Sequence, residues 1–80
     1  MEFIEEFEFN NDAIGRGTAT YKNRYLHVYK DGEAYLFFEI DASKNESYSL
    51  SEKTVDFLIS NKRVINHKKL RKYIKQIKKL

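Results

Sequence analysis

Two periods divide this chain. Up to about residue 42, polar and apolar positions alternate, as in a strand whose two faces differ; beyond residue 50, apolar residues fall three and four apart, as in a helix. The opening "EFIEEFEF" places Phe3, Phe7 and Phe9 on one side and Ile4 among Glu2, Glu6 and Glu8 on the other. It reads as an edge or near-edge strand whose glutamates discourage pairing with another sheet. "NNDAIGRG" has the residues of a turn, and "TATYK" is a short β-prone run. "RYLHVYKDGEAYLFFEI" supplies a third and a fourth strand, and the polar, aperiodic "DASKNES" is where the sheet is expected to end.

Ser51 then fits a helix N-cap with Glu52 in the first turn, Leu50 and Val55 forming a hydrophobic staple. Val55, Leu58 and Ile59 make the buried stripe of a helix predicted to stop near Asn61. The same grammar recurs at Asn66, with Ile65 and Leu70 as the staple. The second helix runs to the end on a stripe of Leu70, Tyr73, Ile74, Ile77 and Leu80. Strands first and helices afterwards predict an α+β fold: a four-stranded antiparallel sheet followed by two C-terminal helices packed on one face. The chain is read as a single domain, with a β-meander over residues 1–42 and two helices over 50–80.

Asp31-Gly32 between alternating runs marks a hairpin, and two turns fit it. In a two-residue type I′ loop, Lys30 faces Glu33 and Arg24 faces Glu39, with Leu26, Val28, Tyr35 and Phe37 between the charge pairs. Tyr25, His27, Tyr29, Leu36, Phe38 and Ile40 then take the other face. In a three-residue loop at Lys30-Asp31-Gly32, with Gly32 left-handed in a bulge, Tyr29 closes against Glu33. Leu26, Val28, Ala34, Leu36, Phe38 and Ile40 then line the core, and Tyr25, His27, Tyr29, Tyr35 and Phe37 share the opposite face. The second is preferred, because it gives the helices an aliphatic face and sets glycine where φ is positive.

Composition sharpens this picture. With 80 residues the chain is one small domain, and six Tyr and six Phe make 15% of it aromatic, so a core can be built from few residues. The absence of cysteine excludes a disulfide framework, a thiolate zinc site and a cysteine nucleophile, and fits a cytoplasmic protein. No secretory signal and no apolar run of membrane-spanning length is evident. The net charge of +3 conceals a gradient: the charged side chains in residues 1–14 are all acidic and those in residues 61–80 are all basic, so the ends should attract each other or different partners.

Two surfaces are candidates for binding. Rings on an exposed sheet face hold single-stranded bases in several protein classes, which makes Tyr25, His27, Tyr29, Tyr35 and Phe37 a stacking platform, a protein or dimer interface, or ordinary strand residues. Lys68, Arg71, Lys72, Lys75 and Lys79 surround the apolar stripe of the last helix as phosphate contacts would, or as a solvated lysine-rich face. The two histidines, His27 and His67, lack the spacing of a metal site, and Gly15-Arg16-Gly17 lacks the third glycine of a dinucleotide motif. A toxin-like nuclease using His27 with Arg16 or Arg24 as phosphate clamps is the remaining enzymatic alternative. No nucleophile elbow points to it, and neither enzyme activity nor a cofactor is expected.

The strand order with a helix opening at "SLSEK" resembles the positive-cofactor-four family of single-stranded-DNA-binding coactivators over about residues 24–58, which would imply a dimer gripping single strands across its sheets. The second C-terminal helix is extra to that pattern. "LHVYKDGEAYLFFEI" followed by "LSEK" also resembles a small bacterial family from predicted toxin–antitoxin pairs, whose histidine- and proline-rich motif is missing here. Both resemblances bear on topology more than on activity. The expectation is a non-enzymatic domain that binds single-stranded DNA or RNA. The alternative is a small inhibitor or adaptor, of the kind encoded by phages and mobile elements, that binds a host protein or ribonucleoprotein.

Overall fold

A computed structural model describes the backbone of residues 1–10 and 23–78 and the side chains of residues 1–10 and 23–74. The described elements are β1 (Glu2–Glu8), β2 (Arg24–Asp31), β3 (Ala34–Asp41), β4 (Glu46–Leu50), α1 (Glu52–Ser60) and α2 (His67–Lys78). The strands form one antiparallel sheet in the order β1-β2-β3-β4, and both helices pack on one face. The expected α+β architecture is therefore present, although one described strand, β4, is not among those that periodicity suggested. "TATYK" lies outside the described residues, and the sheet does not end at "DASKNES".

Instead, residues 42–45 turn the chain back into β4. Asp41 accepts hydrogen bonds from the Ser43 backbone at 3.1 Å and the Ser43 hydroxyl at 2.6 Å, and Asn45 takes a left-handed φ of 53°. These are the local bonds by which Asp and Ser favour turns. "ESYSL" has no apolar alternation because β4 is an edge strand exposed along residues 46–49. Backbone pairing with β3, from Asp41↔Glu46 to Phe37↔Leu50, holds it in place.

The β2–β3 turn matches neither expected register. Asp31 pairs with Ala34, Lys30 with Tyr35 and Arg24 with Asp41, so the two-residue loop is Gly32-Glu33. Gly32 has φ 64° and no other residue of the loop is left-handed, which is the type II′ arrangement with glycine first. The preferred three-residue loop is overturned. The two-residue alternative divided the faces correctly, since its pairing is off by two residues and the side-chain period is also two.

On the helix side, Leu26, Val28, Phe37, Phe7 and Phe9 are buried with Val55, Ile59, Val64, Leu70 and Ile74. Burying each large apolar side chain contributes about 1.5–3 kcal/mol, so this layer is the main source of stability. Phe3 was expected beside Phe7 and Phe9, but a bulge sets both Ile4 and Glu5 against Val28 and flips the alternation. Ile4 thus joins the core and Phe3 turns to the opposite face, where it pairs with Tyr29.

Ser51 caps α1 as expected, accepting from the Thr54 backbone at 3.1 Å. The helix ends in a Schellman motif: the Arg63 N–H donates to the Leu58 carbonyl at 2.8 Å and the Lys62 N–H to the Ile59 carbonyl at 3.0 Å. The left-handed position is Lys62, φ 55°. The connector then runs beside the end of β1, where Phe9 bridges Val64 and the Ile65 N–H reaches the Glu8 carbonyl at 2.8 Å. Val64 takes the buried place and Ile65 stays exposed, in contrast to the expected staple.

Gly32 and Lys62, both at positive φ, should respond to substitution in opposite directions. Nothing would touch a Cβ at Gly32, so Gly32→Ala is penalised by backbone conformation alone and should cost about 1–2 kcal/mol. Lys62→Gly relieves that conformation and should raise stability by about 0.5–1 kcal/mol. Urea denaturation checks both; a lower midpoint for Lys62→Gly would contradict the assignment.

Candidate functional site

The face of the sheet away from the helices carries Phe3, Tyr25, His27, Tyr29, Leu36, Phe38 and Ile40. No described element packs on it. The rings form an edge-on cluster: Phe3 lies 5.1 Å from His27 and 5.5 Å from Tyr29, and Tyr29 lies 5.4 Å from Phe38 with near-perpendicular planes. Such T-shaped contacts fix ring orientation and keep the patch ordered. Phe3 is 49% exposed and the others are half-buried.

Three of the expected platform residues, Tyr25, His27 and Tyr29, are on this face. Tyr35 and Phe37 are not, because the observed turn sends both to the helix side. Phe37 is buried in the core, and Tyr35 meets Tyr73 at 4.9 Å with Lys30 Nζ 5.8 Å from its ring. Leu36, Phe38, Ile40 and Phe3 take their places. The first three were visible in the two-residue register, whereas Phe3 depends on a bulge with no sequence mark.

Both faces are acidic along their strands: Glu6, Glu8 and Asp31 lie on the ring face, and Glu2, Glu5, Glu39, Asp41 and Glu46 lie on the helix side together with both cations of the four described strands, Arg24 and Lys30. Arg24 lies 3.5 Å from Glu39 and 3.4 Å from Asp41. His27 Nε2 is 2.9 Å from Glu6, and its buried Nδ1 has no hydrogen-bond partner. Arg24 and His27 therefore lie on opposite faces and cannot clamp one phosphate between them; Arg16 lies outside the described residues.

The basic helix is likewise divided. Lys69 binds Glu5 at 2.9 Å and Arg71 approaches Asp56 at 3.9 Å, while Lys68 and Lys72 are exposed. The side chains of Lys75 and Lys79 lie outside the described residues. Glu5 also accepts from Tyr73 at 3.1 Å, and burial first, then Glu5, pushes the Tyr73 phenol above its ordinary value. Among the described residues, the acidic start and the basic end thus meet at Glu5.

Among the described residues no three His, Asp or Glu side chains converge as a metal site would require, and no helix is long and apolar enough to cross a membrane. A groove of about 240 Å³ lies between the start of β3 and the start of α1, lined by Tyr35, Leu36, Phe37, Leu50 and Glu52 with Ala34 and Ser49. No protein-family model, curated protein or solved structure matches the chain, so neither family resemblance gains support beyond the residues that suggest it.

The Asp41 carboxyl is held below its ordinary value of 3.8, chiefly by the Ser43 hydroxyl, against the opposing effect of burial and with help from the Lys44 backbone and the Arg24 charge. A depressed carboxyl contributes stability above its unfolded value that is lost as pH falls through its folded value. Asp41→Asn should lower the urea midpoint at neutral pH and flatten its decline below about pH 4. An unchanged acid slope would show that the β3–β4 turn does not depend on this carboxylate.

Proposed function

We propose that this chain is a non-catalytic domain that binds a protein through the open face of its sheet, as a small inhibitor or adaptor does. The observation that carries this reading is the ring and aliphatic patch of Phe3, Tyr25, His27, Tyr29, Leu36, Phe38 and Ile40, whose strand-borne charges, Glu6, Glu8 and Asp31, are all acidic. Base stacking on such a face would contribute about 1–3 kcal/mol per base. A phosphate about 6 Å from one of these carboxylates would lose about 1–3 kcal/mol between aqueous and protein-surface dielectrics. The two effects cancel, so a partner with apolar groups and a basic rim fits better than a nucleic acid strand. His27 adds to this reading, because its Nε2 is engaged by Glu6 and its Nδ1 is buried away from any substrate.

One observation favours a second reading. Lys68 and Lys72 are exposed one turn apart on α2, and Lys62 is exposed on the connector leading to it, which would suit phosphate contacts by the helix alone.

The readings separate with two variants. Phe38→Glu and a Lys68→Glu/Lys72→Glu pair, each checked for fold by circular dichroism, are compared with wild type in nuclease-treated pull-downs from lysate and in oligonucleotide anisotropy across a salt series. A stoichiometric protein partner that survives nuclease and is lost only in Phe38→Glu is the expected outcome. Sub-micromolar, salt-sensitive oligonucleotide binding lost only in the lysine variant, without a protein partner, would replace it with the second reading.

A further inference from the structure

The sheet has two edges, and they are treated differently. On β1 the bulge at Ile4, the glutamates and the connector bridged at Phe9 and Val64 interfere with another strand. On the opposite side the edge has a step. β4 covers β3 only from Phe37 to Asp41, because the chain leaves at Leu50 to enter α1. Residues 34–36 pair with β2 on their inner side, and no described segment pairs on the outer side. Strand backbone left open on one side presents donors and acceptors in the pattern that an added strand completes.

The groove coincides with this step. Its wall includes all of residues 34–37 together with Leu50, and Glu52 is the one charged side chain among its described lining residues. Lys30, whose strand neighbours this stretch, is drawn over the Tyr35 ring and stands opposite Glu2 on β1. The site therefore combines three features of peptide capture by strand addition: an open backbone edge, an apolar recess beside it, and a charge that selects the occupant. Tyr35 and Phe37 point to the helix side and Leu36 to the ring side, so the recess accepts an inward-facing residue of an extended chain, as the alternation of an added strand requires.

We infer that the step at residues 34–36 is a strand-addition site for a short extended peptide bearing an apolar residue for the groove and a lysine or arginine for Glu52. The β4 outer edge is a weaker host: residues 46–49 are exposed, and neither Glu46 nor Tyr48 lines the groove. The site shares only Leu36 with the ring face, and it stands whether or not that face binds a protein.

The test uses the full chain and a phage-displayed library of random linear peptides. Enriched peptides are synthesised in native form and with alternate backbone amides N-methylated, and titrated into the 15N-labelled protein. The expected result is enrichment of basic, β-branched peptides that shift the amides of residues 34–37 and Leu50. N-methylation on the edge-facing side should weaken binding about tenfold, and Glu52→Gln should weaken it about fivefold, equivalent to about 1.4 and 1 kcal/mol. The methylated peptides leave the protein untouched, so their effect does not depend on how the variant folds. The inference is overturned if no peptide is enriched, if bound peptides shift Tyr25, His27 and Phe38 instead, or if N-methylation has no effect.

Discussion

A single left-handed backbone angle at Gly32 sets the arrangement of this protein. With φ at 64° in the first loop position, β2 and β3 are joined by two residues, and the pairing runs from Asp31↔Ala34 to Arg24↔Asp41. Leu26, Val28 and Phe37 are then directed to the helices, and Tyr25, His27, Tyr29 and Phe38 away from them. A shift of one residue would exchange the faces of β3 relative to β2, moving Phe37 out of the core and Phe38 into it. The two central strands hold most of the sheet's apolar residues, so core and ring face are two results of the same turn.

The second constraint is the bulge at Ile4. It brings Ile4 and Glu5 to the helix side together, and Glu5 then meets Lys69 and Tyr73. A half-buried carboxylate with a cation and a phenol donor is better compensated than one left alone. The same kink moves Phe3 to the ring face, where it completes the contacts to His27 and Tyr29. One irregularity thus fastens the first strand to the last helix and finishes the aromatic patch.

Much of this was legible from residues alone, and the failures have physical causes. The Ser51 cap and the described part of the helix stripes follow from local rules: Val55, Ile59, Leu70 and Ile74 are buried as their spacing requires, Leu58 and Tyr73 are partly buried, and the side chains of Ile77 and Leu80 lie outside the described residues. β4 was missed because an exposed edge strand needs no apolar alternation; its turn chemistry at Asp41, Ser43 and Asn45 was the usable signal. Tyr35 and Phe37 fall on the other face than expected because an Asp-Gly pair admits several loops, and residue pattern alone favours an aliphatic core over one that includes aromatic rings. In fact the core accepts Phe37, Phe7 and Phe9, while leucine and isoleucine are left on the open face at Leu36 and Ile40.

That exchange bears on function. Had the turn placed the aliphatic residues inside, the open face would have been almost wholly aromatic, as a stacking surface requires. The observed face mixes rings with Leu36 and Ile40 and carries carboxylates, while the strand cations Arg24 and Lys30 lie on the other side. Stacking rewards rings individually and needs cations near them, whereas a protein interface draws on contiguous apolar area of mixed shape and tolerates either sign at its rim. The separation of rings from strand cations, produced by one turn, is the physical basis on which we propose a protein partner for this face.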